Sequence, residues 1–137
     1  MKTLTPYLLF AGNCREAINY YREVLNGEIT QIQTFGEIGY KGSDQEKQRI
    51  VHAELKAESI LIMLSDGMVD FQSQPGNNVV LSIDLTDENE QARIFAALSQ
   101  GGKVTMPLEV TFWGAKYGQL TDRFGIDWML NCYLKKA

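Results

Sequence analysis

Hydrophobic positions change period several times along this chain, and each change marks an element. Thr3 to Phe10 is a short apolar run that reads as a strand, broken by Ala11-Gly12. Ala17, Tyr20, Tyr21, Val24 and Leu25 then recur at helical spacing and give one apolar stripe. Asn13 and Glu16 have the spacing of a capping box at its start, and the glycine of Asn26-Gly27 is suited to a left-handed cap at its end. Glu28 to Phe35 is rich in β-branched residues and reads as a strand, although Ile29 and Ile32 do not alternate cleanly. Residues 36 to 48 are polar and glycine-containing, which predicts a mobile loop. Arg49 to Lys56 and Ser59 to Ser65 form a predicted hairpin, followed by a second loop over 66–78 that contains Pro75-Gly76.

The order then begins again. Val79 to Leu85 reads as a strand, Thr86 to Gln100 as a helix with acidic residues in its first turn, and Lys103 to Met106 as the start of another strand after Gly101-Gly102. An offset of about 75 residues pairs Ala17 with Ala92, Tyr20 with Phe95, Gly27 with Gly102, Ile29 with Val104 and Thr30 with Thr105. A fixed period of this kind indicates a duplicated β-α-β-β-β unit. We therefore expect an α+β domain in which two βαβββ modules, about 1–66 and about 79–137 with a linker at about 67–78, form a cup-shaped mixed sheet with helices on the outer face.

Composition narrows the classes. A formal net charge of −4 without a basic run argues against nucleic acid as a partner, and the Lys135-Lys136 pair reads as a solvated end. No window approaches roughly 18 consecutive apolar residues, so no membrane partner is expected. The opening Met1-Lys-Thr-Leu-Thr-Pro lacks the apolar segment of a signal peptide. Two cysteines, Cys14 and Cys132, make neither a disulfide framework nor a zinc site, and a cytoplasmic protein with reduced thiols is expected.

The densest chemistry is in Thr111 to Asn131, which holds five large aromatics, three glycines, two carboxylates, a lysine and an arginine. Aromatics give contact area and a few charges give orientation, so such a stretch suits the wall of a small-molecule site. Trp113, Lys116 and Tyr117 are expected in a loop before the last strand, where they would line a pocket or a dimer interface. Asp122-Arg-Phe-Gly125 fits a type I turn and leaves Arg123 available for an anionic ligand. Tyr7, Phe10 and Trp128 read most simply as core, with Phe10 retained among the candidate ligand contacts. His52 and Glu54, two apart on a strand, share a face and form a candidate acid–base pair or a satisfied structural pair. Cys14, in the first helical turn, is a weak candidate nucleophile because no base adjoins it in sequence.

Thr5-Pro-Tyr-Leu-Leu-Phe10, Glu16-Ala17 with Tyr20-Tyr21, His52-Ala-Glu-Leu55, Leu64-Ser-Asp66, Gly101-Gly102, Phe112-Trp-Gly114, Tyr117-Gly118, Asp122-Arg-Phe-Gly125 and Trp128-Met129 occur in order over nearly the whole chain. Together they resemble the PhnB-like subfamily of the vicinal oxygen chelate superfamily (glyoxalases, bleomycin-resistance proteins and dioxygenases). The resemblance implies a homodimer. In catalytic members it also implies a divalent metal held by His, Gln or Glu on the first and last strand of each module. Carried over, those places fall near Pro6 or Tyr7, at Met63, among Val79, Val80 and Leu81, and at Met129. None supplies a hard-cation ligand set, and His52 is the only histidine. No metal and no cofactor are therefore expected, and Met63 and Met129 suggest an adaptable apolar floor. A methyltransferase description attached to this subfamily is not expected to apply, because no strand-to-helix glycine loop for a methyl donor is present. Two functions follow. One is metal-independent binding of an unknown small molecule, with Phe10, Met63, Trp113, Lys116, Tyr117, Arg123 and Met129 as contacts. The other is an enzyme of unknown substrate that uses His52 and Glu54 as an acid–base pair or as part of a metal site.

Overall fold

A computed structural model describes residues 1–134, so the Lys135-Lys136 pair lies outside the described residues. The chain divides into two compact units, Met1–Gln74 and Pro75–Ala137. The first unit contains β1 (Tyr7–Leu9), α1 (Cys14–Leu25), β2 (Glu28–Thr34), α2 (Asp44–Gln48), β3 (Ile50–Ala57) and β4 (Ile60–Ser65). The second contains β5 (Leu81–Leu85), α3 (Glu88–Ser99), β6 (Lys103–Val110), β7 (Ala115–Thr121) and β8 (Asp127–Tyr133). Their sheets have the same topology, β1-β4-β3-β2 and β5-β8-β7-β6. In each, the first strand runs parallel to the last and the other neighbours are antiparallel. Two βαβββ modules are therefore present.

Strand alternation fixes which side of each sheet meets its helix. In β4, Ile62 and Leu64 are buried while Met63 is half-buried; in β3, Ala53, Leu55 and Ala57 are buried while His52 and Glu54 are half-buried. The buried set packs under α1, which contributes Ala17, Ile18, Tyr21, Val24 and Leu25. In the second unit Ile83, Leu120, Trp128 and Leu130 pack under Ile94, Phe95 and Leu98 of α3. Gly118 makes this possible on β7, since a Cβ there would meet the Phe95 ring at 2.8 Å. Each sheet consequently has one helix-covered face and one opposite face with half-exposed side chains, which we call the open face.

Several local expectations are corrected. Asn13 makes no side-chain cap on α1. The Asp66 carboxylate, from the end of β4, takes that role instead, accepting from the amides of Gly12 at 2.8 Å and Cys14 at 3.0 Å. At the other end Asn26, not Gly27, adopts the left-handed conformation (φ 52°, ψ 47°). Gly27 is needed for a different reason: a Cβ would lie 3.0 Å from both the Leu55 side chain and the Lys56 carbonyl. The polar segment 36–48 includes α2, held by a capping box between Ser43 and Glu46 and burying no side chain. The irregular Ile29–Ile32 spacing is a β-bulge between Ile29 and Gln31. The duplication holds at β2 and β6, which open at Glu28 and Lys103, but α1 and α3 open at Cys14 and Glu88, one residue closer. Ala17 therefore corresponds to Gln91, and both are buried, whereas Ala92 is exposed.

Candidate functional site

On the open face of the first sheet, the register runs Tyr7, Met63, Glu54 and Gln31 across four strands, with Gln33 beside His52. The Tyr7 hydroxyl is 2.7 Å from Nδ1 of His52, and the two rings are tilted by 45° with centroids 5.5 Å apart. Nε2 of His52 lies 3.5 Å from Oε1 of Glu54, and these side chains are 25% and 30% exposed. The expected His52–Glu54 pair is thus brought together, and it has a third member. Burial pushes the Tyr7 phenol above its ordinary range, the Ser65 side chain pulls in the other direction, and the Cys14 and Glu54 charges add to the rise.

The open face of the second sheet carries Ser82, Met129, Gln119 and Met106 in register. Next to them, the Tyr117 hydroxyl donates to the Met129 sulfur at 3.6 Å and accepts from the Gln119 side-chain amide. The Trp113 ring stands edge-on to Tyr117 at 6.1 Å and to Phe112 at 4.9 Å. Trp113 lies in the Thr111–Gly114 turn, where the Thr111 carbonyl accepts from the Gly114 amide at 3.3 Å. Lys116 and Tyr117 belong to strand β7 rather than to a loop.

Being adjacent on a strand, these two point to opposite faces. Lys116 is paired with Cys132 in the register and reaches Glu88 in the first turn of α3 at 4.0 Å, so it sits on the helix-covered side, away from Tyr117 and Met129. That ion pair is partly exposed and contributes about 1 kcal/mol at most. Arg123 is also elsewhere: its Nε donates to the Gln100 carbonyl at 3.1 Å, at the C-terminal end of α3, where a cation favours the helix dipole. Phe10 is 2% exposed and belongs to the first core. Among the candidate ligand contacts, Met63, Trp113, Tyr117 and Met129 are on open faces or their rims.

Asp122 and Gly125 do form the expected turn, with the Gly125 amide donating to the Asp122 carbonyl at 3.0 Å. The Asp122 carboxylate is buried and accepts from the amides of Phe124 and Ile126 and from the indole of Trp128, at 2.8, 3.1 and 2.8 Å. Its role is structural. Cys14 is fully buried, and burial together with the nearby Asp66 pushes its thiol up to about 12, with Arg15 acting the other way. A thiol in that state is not poised as a nucleophile. Burial likewise raises the Cys132 thiol.

The donor chemistry is unsuited to a hard divalent cation. The paired first- and last-strand positions are Tyr7 with Met63 and Ser82 with Met129, the register placing Ser82 opposite Met129 where Val79 to Leu81 were expected. Thioethers favour soft ions. Among the described residues no group of three or more His, Cys, Asp or Glu side chains could hold a metal ion, and no helix is long and apolar enough to cross a membrane. A polar cleft of about 890 Å³ in the first unit, lined by Arg15, Glu16, Asn19, Glu46, Arg49 and Asp66 among others, had no sequence signal. It mixes both charge signs, and Arg49 is used to hold the carbonyls of Asp66 and Met68 at 2.7 and 3.3 Å.

The profile of a family described as 3-demethylubiquinone-9 3-methyltransferase matches residues 2–131. The chain belongs to this PhnB-like family. Protein YjdN of Escherichia coli (strain K12) is 35% identical over 139 residues, covering 93% of each chain. The crystal structure of PA1353 from Pseudomonas aeruginosa is 38% identical with a TM-score of 0.87, over 98% of this chain and 100% of that one. A Bacillus cereus structure described as a putative 3-demethylubiquinone-9 3-methyltransferase, PhnB protein, is 28% identical with a TM-score of 0.78, over 96% and 99%. The PhnB-like chain therefore has the glyoxalase/bleomycin-resistance fold.

Proposed function

We propose that this PhnB-like protein binds a small, flat, largely apolar molecule on the open face of its second sheet, without a glyoxalase-type metal, and acts as a homodimer. The observation that carries the binding reading is the Met106–Gln119–Met129 row with Tyr117 bonded to two of its members and Trp113 beside it. Thioethers and aromatic edges offer polarizable, adaptable contact, while one amide and one phenol set orientation. Trp113 is 49% exposed and Trp128 is 2% exposed, so a ligand on this face should quench the fluorescence of the first indole. A metabolite library screened by thermal shift should yield a stabilising compound, and Tyr117→Ala should weaken its binding about tenfold, or ~1.4 kcal/mol. A library without any stabilising compound, or an affinity unchanged by Tyr117→Ala and Met129→Ala, would sink this reading.

The homodimer is supported by apolar surface at one edge of the second sheet, where Val104, Met106 and Val110 of β6 and the adjoining Phe112, itself 97% exposed, face solvent. Light scattering should give twice the chain mass, falling to the monomer mass in Phe112→Asp. A wild-type monomer at high concentration would refute it.

Methyl transfer is not part of the reading. Both long helices already carry a carboxylate at the N-terminus: Asp66 accepts from Gly12 and Cys14 at α1, and Asp87 accepts from Asn89 and Glu90 at α3. That leaves neither end prepared for an anionic cofactor group. A second reading, an enzyme using His52 and Glu54 as acid and base, has the 2.7 Å Tyr7–His52 hydrogen bond in its favour. Because His52 has a protein partner at each ring nitrogen, such a role has to run through the Tyr7 hydroxyl.

A further inference from the structure

We propose that Tyr7, His52 and Glu54 form a proton-accepting site for a weakly acidic hydroxyl group, a phenol or an enol, which the open face of the first sheet binds as its anion. The inference rests on the second reading above, in which the His52–Glu54 pair moves protons.

The direction of the hydrogen bonds decides the ligand class. The Glu54 carboxylate, 3.5 Å from Nε2, favours a proton on that nitrogen and leaves Nδ1 as an acceptor. Tyr7 then donates its own proton to Nδ1 and turns oxygen lone pairs outward. Tyr7 is 42% exposed, so those lone pairs are within reach of a ligand. They call for a donor, and a hydroxyl is the simplest one. If that hydroxyl is acidic, its proton passes to the Tyr7 oxygen while the Tyr7 proton passes to Nδ1. The products are a ligand oxyanion held by a Tyr7 O–H and an imidazolium beside the Glu54 carboxylate. The ligand and Tyr7 O–H bonds break while a new Tyr7 O–H and an Nδ1–H form, nothing is oxidised or reduced, and the total charge is unchanged.

The surroundings agree with an aromatic or conjugated carrier for the hydroxyl. Leu9, Leu61 and Met63 flank the row on the same face, and Gln33 and Gln31 stand beside His52 and Glu54 on β2. The other charged groups on this face are Lys56 of β3 and, opposite it in the register, Glu28 of β2, which offset one another. Because burial raises the Tyr7 phenol, it stays an O–H donor to the bound anion rather than ionising itself.

The test uses a graded series of nitrophenols and naphthols, with equilibrium dialysis to read binding and visible absorbance to read ionisation. One pH unit below each probe's own ionisation, the bound probe should show an anion-to-neutral ratio at least about tenfold higher than the free probe. Tyr7→Phe, which keeps the ring, and His52→Gln, which keeps a polar side chain, should each lose that gain while melting normally. Binding without the gain, or an equal gain in Tyr7→Phe, overturns the proposal and leaves the wider reading of His52 and Glu54 standing. If the wild type binds no member of the series, the proposal is likewise overturned.

Discussion

Replacing Asp66 by alanine should remove about 4 kcal/mol of folding stability, the largest loss expected from any single carboxylate in the first unit. Its side chain accepts from three amides: Gly12 and Cys14 at Oδ1, and Ile50 at Oδ2, at 2.8, 3.0 and 2.8 Å. Asp66 is 1% exposed, and the amides of Cys14 and Ile50 are buried with it. Water cannot readily replace the lost acceptor, and each stranded donor costs roughly 1–3 kcal/mol. One side chain therefore ties the start of α1 to the start of β3 and to the end of β4. Asp66→Asn is the informative companion. It preserves volume but turns an NH₂ toward at least one N–H donor, so it should be nearly as damaging as alanine. Urea unfolding followed by circular dichroism measures both. A loss below about 1 kcal/mol for the alanine variant would mean that the three donors find other acceptors.

Asp122→Ala should cost about 3 kcal/mol, somewhat less because two of its three donors, the amides of Phe124 and Ile126, are only part-buried. The third is the indole N–H of Trp128, which is buried. For a chain of this length that corresponds to a fall in melting temperature of roughly 10 °C. Trp128→Phe separates the contributions, since it deletes one donor and leaves the turn intact. It should lose less than Asp122→Ala from hydrogen bonding, with a packing loss added. An unchanged melting temperature in Asp122→Ala would show that the turn is held by its backbone bond alone. The sequence places this aspartate at the first position of a type I turn, and the structure bears that out. Its three donors account for it as a structural acceptor.

Hydrophobic period was enough to locate α1, α3 and most strands, because each buries a continuous stripe or alternating set. The two-module architecture was legible for the same reason. What escaped was held by polar groups distant in sequence. The cap of α1 comes from Asp66, on the far side of the sheet's last strand, and no local spacing could reveal it. The short helix α2 lacks an apolar stripe, and its one local signal is the Ser43–Glu46 spacing of a capping box. Tyr7 read as core because a three-residue strand offers too few positions to display alternation; Leu8 is buried, and Tyr7 turns to the open face. Lys116 and Tyr117 read as loop residues because glycines bracket them. Gly118 in fact serves the Phe95 ring, and the strand it belongs to separates the two side chains onto opposite faces. The His52–Glu54 pairing was legible from spacing alone, whereas its link to Tyr7 depends on which strands are neighbours.

The parallel pairing of β1 with β4, and of β5 with β8, also dictates an order of events during synthesis. In either unit the strand made first has its only sheet neighbour in the strand made last. The β2–β3–β4 meander can form by local zipping, but β1 must wait, unpaired, until β4 has emerged. Closure of each sheet is thus a late, long-range event. Since Asp66 directly follows β4, the residue that caps α1 arrives with the strand that completes the sheet. The cap of α1 and the closing strand of the first sheet therefore come from one continuous stretch of chain, residues 60–66, so an interruption there removes both at once.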